Sequence, residues 1–260
     1  MKKYLVIGNP IDHSLSPKLH NYWIKENNLK AIYDKRQINK NDIEEIITEV
    51  KDEKIHGINV TVPFKKTVIP FLDRLTSVAE ETQSVNTIFK KDDKIIGDNT
   101  DVSGFENAAK HFDYDIKNKK IFILGAGGVV SSIILALNKI GVSKISLSNR
   151  TKEKVENFKK IYSDLEIIVW GQNTDFDMII NATSVGLKND DQIKLNFSNN
   201  KPNKLFYDVI YNPSKTNFLL EGEKLGNKIE NGKMMFIYQA QLAFKIWHNI
   251  LPKLNNKLLD

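Results

Sequence analysis

Short apolar runs alternate with longer amphipathic stretches along almost the whole chain, which is the rhythm of a parallel α/β protein. In the N-terminal part, strands are predicted at Tyr4–Ile7, Ala31–Tyr33, Gly57–Val62 and Asn86–Phe89, with helical spacing between them at Pro17–Glu26 and Asn41–Val50. Ser16 is placed to cap the first of these helices, with Pro17 at its first position. Val85–Phe89 and Ile95–Gly97, joined by the polar run Lys91-Asp92-Asp93-Lys94, read as a β-hairpin.

A second strand–helix series begins afresh at Lys119. Ile121-Phe122-Ile123-Leu124 is a continuous apolar run, expected of a strand covered on both faces. It leads into Gly125-Ala126-Gly127-Gly128 and a helical pattern that stops at Gly141, a good terminator. Further strands are expected at Lys144–Ser148, Leu165–Val169, Asp177–Ile180 and Lys204–Val209. A last helix is expected from about Met235 to His248, with Phe236, Ala240, Ala243 and Trp247 on one face. No internal repeat or low-complexity linker interrupts the series. Two α/β domains with a cleft between them, split at 1–101 with 239–260 and 102–238, are the economical arrangement.

Strand, Gly125-x-Gly127-Gly128, helix is the geometry that sets a pyrophosphate on a helix N-terminus. Glycine-rich turns also join strands to helices for packing alone, so the motif leaves both readings open. Its third fingerprint position, normally Gly or Ala, is Val130. The following strand discriminates. It ends at Asn149-Arg150-Thr151, where an NAD enzyme wants a carboxylate for the ribose hydroxyl; Arg150, with Thr151 and Lys154, suits a 2′-phosphate instead. An ordinary surface arginine is the alternative, weakened because Arg36 and Arg74 are the only others.

Composition narrows the class. At 260 residues, 41% hydrophobic and 27% charged, the chain is neither disordered nor fibrous, and no apolar run approaches the roughly 20 residues of a membrane span. There are no cysteines, hence no disulfide, thiolate metal site or cysteine nucleophile. The five histidines lack metal-ligand spacing, and His13 beside Ser14 has no apparent acid partner. A net charge of +6 comes from lysines dispersed among acids, a solvated surface rather than a nucleic-acid face. A soluble cytoplasmic protein with no metal, no nucleic acid and no membrane is expected.

Polar residues of a few types sit at the ends of apolar runs. They are Gly8-Asn9-Pro10-Ile11-Asp12-His13-Ser14-Leu15-Ser16-Pro17, Asn59-Val60-Thr61-Val62-Pro63-Phe64-Lys65, Val85-Asn86-Thr87 and Asn99-Thr100-Asp101. Hydroxyls, amides, an ammonium and a carboxylate are what a small polyhydroxylated acid requires. With Asn181-Ala182-Thr183-Ser184-Val185-Gly186, Tyr207-Asp208-Val209-Ile210-Tyr211-Asn212-Pro213 and the Gly232–Ala240 run, these motifs make the chain resemble the shikimate dehydrogenases along its whole length. It departs from the family pattern at Val102, at Gln83-Ser84 and at Phe236, none of which alters the polar chemistry.

The resemblance implies a substrate domain, a Rossmann-like NADP(H) domain and a C-terminal helix returning to the first. It implies reversible NADPH-dependent reduction of 3-dehydroshikimate to shikimate by a monomer or homodimer. Ser14 and Ser16 should hold the substrate carboxylate, and Asn59, Thr61, Asn86, Asp101, Tyr211 and Gln239 should hold ring hydroxyls or complete the pocket. Lys65 should be the acid/base group beside Asp101. The cofactor should meet Gly125, Ala126, Gly127, Gly128, Val129, Asn149, Arg150, Thr151, Lys154, Ala182, Thr183, Ser184, Val209, Gly232 and Met235. A quinate/shikimate dehydrogenase is the nearest rival, opposed by Arg150. A non-catalytic dinucleotide sensor is another, opposed by an intact Lys65 and Asp101.

Overall fold

The computed structural model describes residues 1–188, 190–197 and 202–254. They form two compact units, Met1–Gly104 with the described residues from Ile237 on, and Phe105–Phe236. The first contains β1 (Lys2–Gly8), α1 (Ser16–Glu26), β2 (Ala31–Gln37), α2 (Ile43–Lys51), β3 (Gly57–Val60), β4 (Arg74–Leu75), α3 (Ser77–Thr82), β5 (Thr87–Lys91) and β6 (Lys94–Asp98). The chain leaves this unit within α4 (Asp101–Ala109). The second contains β7 (Lys120–Leu124), α5 (Val130–Ile140), β8 (Lys144–Ser148), α6 (Lys152–Ile161), β9 (Glu166–Ile167), β10 (Met178–Asn181), β11 (Leu205–Asp208), α7 (Asn217–Lys224) and β12 (Lys228–Asn231). The chain returns within α8 (Lys233–His248).

The first sheet has the order β2-β1-β3-β5-β6-β4, with β1 parallel to β2 and β3, and β5 antiparallel to both its neighbours. One reversed strand between parallel ones has a useful consequence. The carboxyl ends of β1, β3 and β6 and the amino end of β5 all fall along one edge, so residues from four separate motifs arrive there. Ile7, Ile58, Val60 and Ile88 pack with α2 residues on one face of this sheet. Trp23, Tyr33, Phe244 and Trp247 are aromatic neighbours of His20, and Tyr4 joins the cluster through Trp247. Gly57 permits this, since a Cβ there would lie 2.3 Å from the Trp247 indole nitrogen, which donates to the Ile88 carbonyl.

The second sheet is wholly parallel, in the order β12-β11-β10-β7-β8-β9. Numbered from its own first strand this is 3-2-1-4-5-6, the doubly wound dinucleotide-binding order, with its switch point between β7 and β10. Ile121, Phe122, Ile123 and Leu124 are all buried, as a doubly covered strand requires. Helix α5 is buried from Val130 to Leu137 and closes on Gly141, whose φ of +85° is costly for other residues.

Several boundaries differ from the periodicity. Strand β2 continues to Gln37 because it is an edge strand, whose exposed residues need no apolar pattern. Strand β3 stops at Val60, where Phe64 N–H turns back to the Thr61 carbonyl. Ser16 does not cap α1: it is the first helical residue, and its N–H is accepted by the Ser14 hydroxyl at 3.3 Å.

Candidate functional site

At the edge of the first sheet, β3 leads into Lys65 and β6 into Asp101. Both are buried, and Lys65 Nζ donates to Asp101 Oδ2 at 2.5 Å. Asp101 is the first residue of α4, where the positive end of the helix dipole favours a carboxylate. Asn99 sets that position: its Oδ1 accepts the N–H groups of Asp101 and Val102, and its Nδ2 is tied to Thr82 and Ser84. Asn86, just before β5, is the hub. Its Nδ2 donates to Asp101 Oδ1 at 3.0 Å, to Thr100 Oγ1 at 2.9 Å and to Gln239 Oε1 at 3.4 Å.

Asn59 lies one step behind. Its Oδ1 accepts the Tyr33 hydroxyl at 2.7 Å, and its Nδ2 donates to the Asn86 carbonyl and Thr87 Oγ1. That amide is therefore largely committed to holding Asn86 in place. Ser14 and Ser16 follow β1 on the same edge, and the β1 and β3 exits are laced together by Thr61 N–H to Ile7 and Asn9 N–H to Val62. The Ser14 hydroxyl accepts from Ser16 and keeps its proton to donate. Hydrogen bonds thus join Lys65, Asp101, Asn86, Gln239 and Asn59 into one network; Ser14 and Ser16 share only the sheet edge with it.

In the second unit the arrangement depends on the backbone. Gly125 has φ +111°, and a Cβ on it would come within 2.7 Å of the Ala182 carbonyl oxygen. The β7 and β10 exits therefore touch at the switch point. Helix α5 starts from Val129, whose apolar side chain supplies no cap. Val130, the residue departing from the fingerprint, is fully buried at the helix start. Asn149, Arg150 and Thr151 follow β8, with Asn149 Nδ2 donating to the Thr151 carbonyl at 3.0 Å. Arg150 and Lys154 are exposed, and among the described residues neither forms an ion pair. An uncapped helix start, a glycine cradle that a Cβ would fill and unpaired cations beyond the next strand fit a dinucleotide carrying a 2′-phosphate.

Matches to known proteins agree with this geometry. A family model for the shikimate dehydrogenase substrate binding domain matches residues 6–88, and one for shikimate / quinate 5-dehydrogenase matches residues 106–206. A shikimate dehydrogenase (NADP(+)) of Pelagibacter ubique is 58% identical over 259 residues, covering 100% of this chain and 98% of its own. The chain belongs to the shikimate dehydrogenase family. The crystal structure of shikimate dehydrogenase from Aquifex aeolicus has TM-score 0.90 at 36% identity, covering 100% of this chain and 96% of that one. A shikimate 5-dehydrogenase of Thermus thermophilus, solved in complex with NADP(H) and shikimate, has TM-score 0.89 at 28% identity, covering 97% and 95%.

The remaining residues that the resemblance with this family singles out lie in the second unit or at its edge. Tyr211 stacks on Phe236 with ring centroids 4.5 Å apart. Gly232 presses on the β11 exit, where a Cβ would sit 2.1 Å from the Val209 carbonyl oxygen, and Met235 is buried. Ala182, Thr183 and Ser184 follow β10, with Thr183 held by Asn181. Sequence reasoning passed over the residues behind these. Asn99, Asn181 and Asp208 stood inside quoted motifs without a role. Tyr33 reads only as the end of the apolar run Ala31–Tyr33, and Thr216, a cap-type residue ahead of Phe218-Leu219-Leu220, was not singled out. No helix among the described residues is long and apolar enough to cross a membrane.

Proposed function

We propose that the chain is an NADP-dependent shikimate dehydrogenase, reducing 3-dehydroshikimate reversibly to shikimate in the cytoplasm. The observation that carries this reading is the buried Lys65–Asp101 pair, locked through Asn86 to Gln239. When bound, the cofactor supplies or accepts the hydride. The residues do the rest. As negative charge grows on the substrate carbonyl oxygen, the Lys65 ammonium stabilises it and delivers the proton; in the reverse direction Lys65 takes the hydroxyl proton back. Asp101 accepts from a substrate hydroxyl and holds Lys65 in line. Asn86 and Gln239 offer amide groups to the ring hydroxyls, and Asn59 fixes Asn86. Ser14 and Ser16 donate to the substrate carboxylate. Arg150, with Thr151 and Lys154, holds the 2′-phosphate, and the first turn of α5 with Gly125–Val129 holds the pyrophosphate.

The test is absorbance at 340 nm with shikimate or quinate, each paired with NADP or NAD. Turnover is expected to be fastest with shikimate and NADP. Faster turnover of quinate with NAD overturns the substrate and cofactor assignment, and no turnover with any pair overturns the enzyme reading.

A further inference from the structure

Strands β10 and β11 run in parallel register with Asn181 opposite Asp208, each the last residue of its strand. Both side chains are fully buried. Among the described residues the Asp208 carboxylate has three hydrogen-bond donors around it and no cation. Its Oδ1 accepts the Ile210 N–H at 3.0 Å, and its Oδ2 accepts Asn181 Nδ2 at 3.0 Å and the Thr216 hydroxyl at 2.6 Å. Burial pushes this carboxyl above the usual carboxylate range, although the three donors pull the other way. Removing a carboxylate from water without a counter-charge is unfavourable, so a residue of this kind is explained by what it holds.

It holds two loops. Asn181 uses its whole hydrogen-bonding capacity: Nδ2 donates to Asp208 and to the Val185 carbonyl, and Oδ1 accepts the Thr183 N–H and hydroxyl. Thr183 Oγ1 in turn accepts the Val185 N–H at 3.0 Å. Residues 182–185 are thus folded around Asn181, whose amide orientation is dictated by an acceptor-only carboxylate. Thr216 donates to Asp208, accepts the Leu219 N–H as the cap of α7, and lies 3.1 Å from where a Cβ on Gly186 would be. On the β11 side, the Ile210 N–H is fixed by Asp208 while the Ile210 carbonyl accepts Gly232 N–H.

We infer that Asp208 is a positioning residue for cofactor binding, clamping through Asn181 and Thr216 the 182–186 loop, and through Ile210 the exit of β11. The inference rests on the reading of Ala182, Thr183 and Ser184 as cofactor-lining residues. Asp208→Asn puts a second amide against the donors of Asn181, Thr216 and Ile210, while Thr216→Val removes one donor to Asp208 together with the α7 cap and keeps the volume. Thr216→Ser retains the hydroxyl.

Hydrogen–deuterium exchange and titration calorimetry with NADP and shikimate separate the outcomes. Asp208→Asn and Thr216→Val are expected to speed exchange at 182–186 and to weaken NADP about 10-fold, with shikimate affinity and exchange at 97–101 unchanged. Thr216→Ser is expected to behave as the parent. If Asp208→Asn fails to fold, Thr216→Val carries the test. Unchanged exchange at 182–186 in a folded variant overturns the clamp. Faster exchange spread evenly over the chain also overturns it, since the role is then support of the fold alone. A loosened loop with unchanged NADP affinity overturns the underlying reading of Ala182–Ser184 and leaves the clamp without its cofactor role.

Discussion

The two sheets end in sites of opposite construction. In the first unit, the proposed catalytic residues are side chains taken out of water: Lys65 and Asp101 are 9% and 5% exposed, and Asn86, Asn59 and Thr100 close the network around them. In the second, the proposed binding elements are backbone and space. Gly125 is there for its φ and its approach to Ala182, α5 opens without a side-chain cap, and the cations Arg150 and Lys154 stand in solvent. The difference follows from the chemistry. A proton donor must be held still and dry beside the reacting oxygen, where electrostatic effects are strong. A phosphate needs only oriented N–H groups and an accessible positive charge.

The sharpest way to break this comparison is to remove the buried cation. Lys65→Met is expected to lower kcat about 10²–10⁴-fold with a much smaller change in shikimate binding. Because it strands a buried carboxylate, the double variant Lys65→Met/Asp101→Asn serves as the folding control. Steady-state kinetics decide it, and near-parental turnover in a folded Lys65→Met protein moves the acid elsewhere. Next come the serines on the same sheet edge. Ser14→Ala and Ser16→Ala each remove a donor to a carboxylate, and shikimate binding should weaken by about 1.5–3 kcal/mol.

A third prediction concerns the aromatic core behind the network. His20 is buried against Tyr33 with ring centroids 4.1 Å apart, and neither ring nitrogen has a hydrogen-bond partner. Burial first, and His248 second, push its pKa from 6.5 down to about 3. The unfolded chain therefore binds a proton below pH 6.5 that the folded chain refuses, so stability falls as pH drops from 6.5 toward 3. His20→Phe keeps the stack and removes that proton. By denaturant titration, its stability relative to the parent should gain about 2 kcal/mol between pH 6.5 and pH 5. A parallel pH profile in the two proteins contradicts the assignment. The smallest expected effect belongs to the exposed site: the parent should prefer NADP over NAD by at least about 10-fold, and Arg150→Asp should reverse much of that preference. Competitive titration at fixed salt reads it.

The same contrast governs how much was legible in the sequence. Runs such as Ile121–Leu124 announce a doubly covered strand, and Gly125-x-Gly127-Gly128 announces a glycine turn from strand into helix, because each signal is local in the chain. The Lys65 network is not local. Its members come from three sheet-edge segments, at β3, β5 and β6, and from α8, and only the motif resemblance gathered them in advance. The residues that hold the site were harder still. Tyr33 sits on an edge strand and reads only as the end of a short apolar run, yet its hydroxyl orients Asn59. Thr216 reads at most as a helix cap ahead of Phe218-Leu219-Leu220, but nothing in the chain pairs it with Asp208. Such supporting contacts are created by strand order, which pairs Asn181 with Asp208 across 27 positions of sequence.

One calorimetric comparison tests the division of labour most directly: shikimate and NADP titrated separately into the parent, Ser16→Ala and Arg150→Asp proteins. The expected result is a double dissociation, with Ser16→Ala weakening shikimate alone and Arg150→Asp weakening NADP alone. Loss of NADP binding in Ser16→Ala, or of shikimate binding in Arg150→Asp, contradicts the assignment of substrate to the first sheet edge and cofactor to the second.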